Sequence, residues 1–447
     1  MIVVVNLLIN MRKKLKLLFK KIFEYGFYLF VFLITWQAKI IIRPAETNFK
    51  EISIYPSYLL LLVILVVFFI WQLYRRENDE PISPLWVSLA ILETLVLISF
   101  FFAPDQALAF YHYAVFLAGI GLFYILRLGT FCYNYEDSPL DSAKVIASLL
   151  AGVFFQATLG IYQFLTQVAP VNKYLGLAAH YPELAGTSVI ETSSGRWLRA
   201  YGGLDHPNIL GGVLAVSLII TAYLLARRKM IRSAREAGSS ALLFVFYFIA
   251  LTALFFTFSR SSWLALGVGL LVLTVILARS NDRWILGRFL ALLFFSSLML
   301  FIIAFPYREL VWARTIGVTN SEVRLEQKSL AERSQGLSEA TGMIRDKWLI
   351  GAGVGNYVST LSRNDNYHKD VWSYQPVHNS GLLLAAQSGV LSLISFALFL
   401  YFLIKKDRRA VFGGAVIAGL LVIMMLDHWL ISLPFGVLFL FLILGLL

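Results

Sequence analysis

Long stretches without charge decide which solvent this chain folds in. From Tyr58 to Ile70 and from Ala241 to Phe258 there is no charged side chain. A helix of about 20 apolar residues crosses the hydrocarbon core of a bilayer, where every backbone polar group must be satisfied within the segment. Only 14% of the 447 residues are Asp, Glu, Lys or Arg, against about a quarter in soluble domains. Burying so many apolar residues in water would need several cores joined by polar linkers, and the chain lacks such linkers. The expectation is an all-α integral membrane protein.

Apolar runs of about 17 to 25 residues predict about twelve transmembrane helices. They fall at 22–42, 54–74, 84–102, 108–126, 144–165, 208–226, 241–258, 262–278, 287–305, 378–404, 410–426 and 430–447. The chain then divides into a basic amphipathic N-terminal segment (1–21), N-terminal membrane helices (22–165) and a first outer loop (166–207). Membrane helices carrying an arginine hairpin (208–305) follow, then a large extracytoplasmic loop (306–377) and C-terminal membrane helices (378–447). A helix-like stretch within the large loop, 329–347, is expected to lie along the membrane face.

With the N-terminus inside, the short inner segments hold 22 Lys and Arg and the short outer ones 6. By the positive-inside rule both termini are expected to be cytoplasmic, in a plasma membrane. The net charge of +12 sits in stretches such as Arg12–Lys21, Arg227–Arg235 and Lys405–Arg409. That pattern attracts anionic membrane lipids. Nucleic-acid binding is not expected, since no basic patch stands beside an aromatic platform. Cys132 is the only cysteine, which excludes an internal disulfide and a cysteine-rich metal site. Met1–Asn10 is apolar but short and precedes its basic residues, unlike a cleavable signal peptide.

Three features on the predicted outer side bear chemistry. Arg260 lies at the tip of a hairpin, in Phe258-Ser-Arg-Ser-Ser-Trp-Leu264. Its guanidinium is a permanent charge with a planar fork suited to phosphate, and by position alone it equally fits a snorkelling interfacial arginine. Glu332-Arg333 and a glycine run, Gly351-Ala-Gly-Val-Gly-Asn356, lie in the large loop. Without a strand before it the run is a tight turn and not a dinucleotide fingerprint. His378-Asn379-Ser380 opens the tenth span; such a histidine serves either as a general base near neutral pH or as a helix cap.

Together these motifs resemble the O-antigen ligase and polymerase family of bacterial membrane glycosyltransferases. The family's Arg, three residues, Leu motif matches Arg260 to Leu264. Its His-Asn, nine residues, Gly motif matches His378, Asn379 and Gly389, with Ser392 where Gly, Thr or Tyr is usual. Glu332-Arg333 and Gly351–Asn356 resemble the family's loop motifs, with Trp348 where proline is usual. Arg199 to Asn208, which includes His206 and Pro207, and the Asp427-His428 step resemble two further stretches. The likeness covers roughly 150–447.

The resemblance implies a GT-C-like helical fold and a polyprenyl-diphosphate-linked glycan as donor. It also implies a glycan, lipid or protein acceptor hydroxyl on the outer face, an inverting mechanism, and neither cofactor nor metal. Carried over residue by residue, Arg260 and Arg333 hold the diphosphate and His378 is the base. Arg199, His206, Asn208, Asn379 and Asp427 are candidate substrate contacts, with helix capping the competing role for Asn208. Ligase and polymerase share this chemistry. The alternative from another class is a flippase or transporter for the same lipid-linked sugars, for which Glu93 and Lys39 are the ionisable residues within predicted spans.

Overall fold

The computed structural model describes residues 19–45, 47–73, 83–131, 140–228, 234–280, 282–315, 320–363, 370–406 and 413–447. Cys132 and most of the N-terminal amphipathic segment lie outside them. In chain order, helix α1 (19–33) leads into a hairpin of β1 (Ile40–Arg43) and β2 (Ile52–Ile54). Then come α2 (Pro56–Leu73), α3 (Pro84–Phe101), α4 (Gln106–Phe131) and α5 (Ser142–Thr166). A second hairpin, β3 (Val189–Thr192) with β4 (Gly195–Leu198), precedes α6 (Pro207–Arg227), α7 (Ala234–Phe256), α8 (Arg260–Ala278) and α9 (Arg283–Ala304). Three polar helices, α10 (Arg308–Thr315), α11 (Asn320–Asp346) and α12 (Tyr357–Ser362), occupy the large-loop segment. The chain ends with α13 (Ser380–Ser388), α14 (Val390–Lys406), α15 (Gly413–Leu426), α16 (Trp429–Ser432) and α17 (Pro434–Leu446).

Among the described residues seven helices, α3 to α9, are long and apolar enough to cross a membrane, and four shorter apolar ones accompany them. That is fewer than the twelve full spans read from hydropathy. Three of the differences have local causes. The run 22–42 does not continue as a helix, because the β-branched Ile40–Ile42 favours extended pairing and joins β2, with Ile40 opposite Ile54. The run 430–447 is interrupted before Pro434, which lacks an N–H and therefore starts α17. The run 378–404 is broken at Gly389.

That break explains two glycines of the motifs at once. Gly389 has φ +83° and Gly351 has φ +78°, a region that side chains with a Cβ rarely adopt. A Cβ on Gly389 would meet the Leu349 carbonyl oxygen at 2.1 Å, and one on Gly351 would meet the Gln387 carbonyl carbon at 2.3 Å. The returning loop and the α13–α14 break thus lie backbone against backbone. Ala352 N–H donates to Ala386 O at 2.8 Å, Gly353 N–H to Gln387 O at 2.9 Å and Val390 N–H to Trp348 O at 2.8 Å. Trp348 takes part through its carbonyl, which any residue provides. Gly389→Ala is expected to cost roughly 3 kcal/mol or more, from strain and displaced hydrogen bonds. A thermal-shift measurement in detergent checks this, and an unchanged midpoint would contradict it.

Helix α6 is the centre of the bundle, buried along almost its whole length, between α5, α7, α8, α9 and α15. Helix α9, by contrast, shows large apolar side chains such as Phe294 and Phe301 to its surroundings, as a lipid-facing helix does. Helix α11 begins earlier than the predicted 329–347 and reaches Asn320. Its Ala340 and Met343 are buried with Val358, Leu361 and Leu383, so the helix is anchored on α13. The two ionisable residues a transporter would use are paired: Tyr113 OH donates to Glu93, and Lys39 meets Glu51 at 2.6 Å.

Candidate active site

The starts of α6, α8 and α13 and the end of α15 meet at one end of the bundle. Pro207 is the first residue of α6, and His206 caps it, accepting from Asn208 N–H through Nδ1 at 3.1 Å. Nδ1 therefore carries no proton, and Nε2–H donates to Ser188 Oγ at 2.8 Å. The cap is His206, not Asn208. Asn208 instead bridges two charges, accepting from Arg199 Nη2 at 2.8 Å and donating to Asp427 Oδ2 at 3.2 Å.

Arg199 is 4% exposed, and its Nε also donates to Thr257 O at 2.7 Å. Burial presses the guanidinium below its ordinary pKa, as do Arg314 and Arg260, with Tyr201 and Asp427 opposing. Arginine stays charged through such pressure. Arg314, on α10, donates to Phe258 O at 3.1 Å. Nothing in the sequence singled it out, because its neighbourhood to Arg199 and Phe258 arises only through folding.

Phe258 stands at φ 45°, a region costly for a bulky side chain. Its ring is fully buried against Phe164, Phe255 and Trp263, which holds the turn. The turn delivers Arg260 to the first position of α8, after Ser259 at the cap. A cation at a helix N-terminus opposes the helix dipole, while an anion there is stabilised. Arg260 and the dipole together thus favour a negatively charged group beside this turn.

His378 immediately precedes Asn379, the cap of α13. Both ends of the Asn379 amide are used, Oδ1 by Leu382 N–H at 2.9 Å and Nδ2 on Met425 O at 3.2 Å, which is an anchoring role. Ser380 donates to Asp427 O through its hydroxyl at 2.8 Å and fixes the α15 end beside α13. His378 Nδ1 is buried and makes no hydrogen bond with the described residues. Asp427 Oδ1 lies 3.9 Å from it, beyond hydrogen-bond length.

Burial holds the His378 imidazole below its ordinary value; Asp427 and Glu332 pull it upward and Arg333 downward. The ring is therefore neutral at pH 7 and able to accept a proton. Burial alone would raise the Asp427 carboxyl, but His428, His378 and His206, together with the His428 N–H, outweigh it and hold the group below the usual carboxylate range. Burial pushes His428 down to about 4; its ring lies 5.0 Å from that of His378, and Phe49 of the first hairpin covers it.

Glu332 and Arg333 face His378 from the middle of α11, since that helix starts at Asn320. The structure thus brings Arg199, His206, Asn208, Asp427 and His378 into one linked cluster. Arg260 and Arg314 flank it at Arg199, and Arg333 flanks it at His378.

His378, Asp427 and His428 offer donor atoms within 4.8 Å of one another, but they suit a resident metal ion poorly. Asp427 already accepts at both oxygens, His428 Nδ1 is bonded to Ser432 Oγ at 2.7 Å, and guanidinium groups surround the cluster.

Fold and site together define a multi-pass helical membrane protein with a cationic, histidine-bearing site at one end of its bundle. The family model described as O-antigen ligase matches residues 245–397. That stretch runs from α7 into α14 and holds Arg260, Arg333 and His378. No curated protein and no solved structure gives a match to the chain.

Proposed function

We propose that the protein transfers a glycan from a polyprenyl-diphosphate donor to an acceptor hydroxyl on the outer face of a bacterial plasma membrane, as a ligase or polymerase. The observation that carries this reading is the meeting of a neutral, partly buried imidazole with permanent cations, in a chain whose residues 245–397 match this family's model.

The acceptor oxygen attacks the anomeric carbon as the bond from that carbon to the diphosphate oxygen breaks. The leaving polyprenyl diphosphate gains negative charge, which Arg260, Arg199 and Arg314 offset on one side and Arg333 on the other. His378 takes the acceptor proton on Nε2, while Nδ1–H turns toward the Asp427 carboxylate. Attack opposite the leaving group inverts the anomeric carbon. Guanidinium groups do here what a metal ion does in other transferases, so no metal enters the scheme.

Arg260→Lys tests the cation's geometry. A point charge cannot reproduce a planar fork, so transfer is expected to fall about a hundredfold. The assay uses proteoliposomes, a labelled undecaprenyl-diphosphate oligosaccharide and release of undecaprenyl diphosphate. Near-normal turnover in the lysine variant would remove the fork from the mechanism. Locating the label after incubation with native membranes identifies the acceptor and separates ligase from polymerase.

A further inference from the structure

The residue beside His206 is harder to explain than His206 itself. Asp205 lies deep among protein atoms, yet its surface is exposed, so it borders a recess. It makes no hydrogen bond and no ion pair with the described residues. The α6 cap does not use it, because the His206 ring takes that place. Lys39, the nearby cation, is held by Glu51 at 2.6 Å. Burial pushes the Asp205 carboxyl up, Lys39 opposes and Glu51 reinforces the shift. With its edge open to solvent, the carboxylate accepts hydrogen bonds from water or from a ligand that displaces that water.

Gln37, Tyr55, Leu204, Ile209 and the turn into α17 line the recess with Asp205. The recess measures about 10 Å³, room for one water or one hydroxyl. An anion is repelled by the carboxylate and by Glu51 behind it. A ligand with several neutral O–H donors suits the lining best: the carboxylate accepts, the Gln37 amide, which donates one N–H to Ile34 O at 3.4 Å, keeps its oxygen and a second N–H, and the Tyr55 ring offers an apolar edge.

We propose that Asp205, Gln37 and Tyr55 form a subsite for a sugar of the acceptor, one ring hydroxyl entering the recess and another reaching the exposed edge of Asp205. The word acceptor rests on the transfer reading above; the sugar subsite does not. Asp205 and His206 are consecutive, and the α17 turn follows the segment that carries Asp427 and His428. The subsite is thereby joined through the chain to His206 of the His378 cluster.

Saturation-transfer NMR on the detergent-solubilised full chain tests the subsite, with methyl β-glucoside and methyl β-galactoside as probes. Saturation of ring protons is expected with the unaltered protein. About tenfold weaker binding is expected with Asp205→Leu, the size of a lost charge-assisted hydrogen bond. Asp205→Asn, which keeps shape and one acceptor oxygen, should fall between. Absence of saturation with the unaltered protein overturns the proposal, as does equal saturation in a monodisperse Asp205→Leu protein.

In the transfer assay, Asp205→Asn is expected to raise the apparent KM for the glycoside several-fold while changing kcat much less. A fall in kcat with unchanged KM overturns the sugar-binding role. Glycoside binding without any release of undecaprenyl diphosphate would leave the subsite standing and end the transfer reading.

Discussion

Removing the His378 imidazole is expected to slow glycan transfer by about a thousandfold, the usual reach of a positioned general base, without unfolding the protein. His378 Nδ1 makes no hydrogen bond with the described residues, so His378→Ala breaks no satisfied polar contact among them, and the α13 cap belongs to Asn379. The variant should insert, stay monodisperse and still retain the labelled donor, because the cations are untouched. Its residual rate measures what orientation and charge stabilisation give without a base.

The pH profile of the unaltered protein gives a second readout. Burial disfavours the protonated ring, so His378 titrates below the ordinary 6.5. Activity limited by the neutral ring is complete above that value and falls as pH drops through the lowered one. The acid limb should disappear in His378→Ala. A full-rate His378→Ala protein, or an acid limb that survives in it, would sink the base assignment.

Arg199→Ala is expected to damage both stability and activity, unlike Arg260→Lys. The Arg199 guanidinium is buried and joins Thr257 O to Asn208, which in turn holds Asp427. Truncation leaves a carbonyl and an amide oxygen buried without donors, a loss of roughly 3 kcal/mol. It also frees the amide that steadies Asp427, so transfer should fall about a hundredfold or more. Arg199→Lys should recover little, since one ammonium cannot reach both acceptors with a fork's geometry. A thermal-shift assay and the transfer assay separate the two effects. A destabilised protein with full activity per folded molecule would mean that Arg199 only braces the loop.

Several residues of the candidate site were legible because chemistry that polar must have a reason to sit beside apolar helices. Arg260 and His378 stand out as charged or titratable groups at the borders of apolar runs, whereas Arg333, inside the large polar loop, was singled out only through the resemblance. Asn379 stood out for the same cause, but its amide is consumed by the α13 cap and Met425. Asn208 was read as a possible cap, and the cap fell to His206 because Pro207 occupies the first helical position. Arg314 was invisible. Its place depends on how α10 folds back over Phe258, a contact between residues 56 apart that no local pattern encodes.

The apolar runs alone determined that the chain is helical and membrane-embedded, because a backbone in lipid must satisfy its own hydrogen bonds. They did not determine how many helices run unbroken. Gly389, Pro434 and the Ile40–Ile42 strand interrupt three of them. At Gly389 the cause is a loop from the other side of the large segment, which hydropathy cannot register. The grouping of guanidinium, carboxylate and imidazole was likewise decided by tertiary structure. Charges far apart in sequence interact only once packing sets their distances and excludes the water that would screen them.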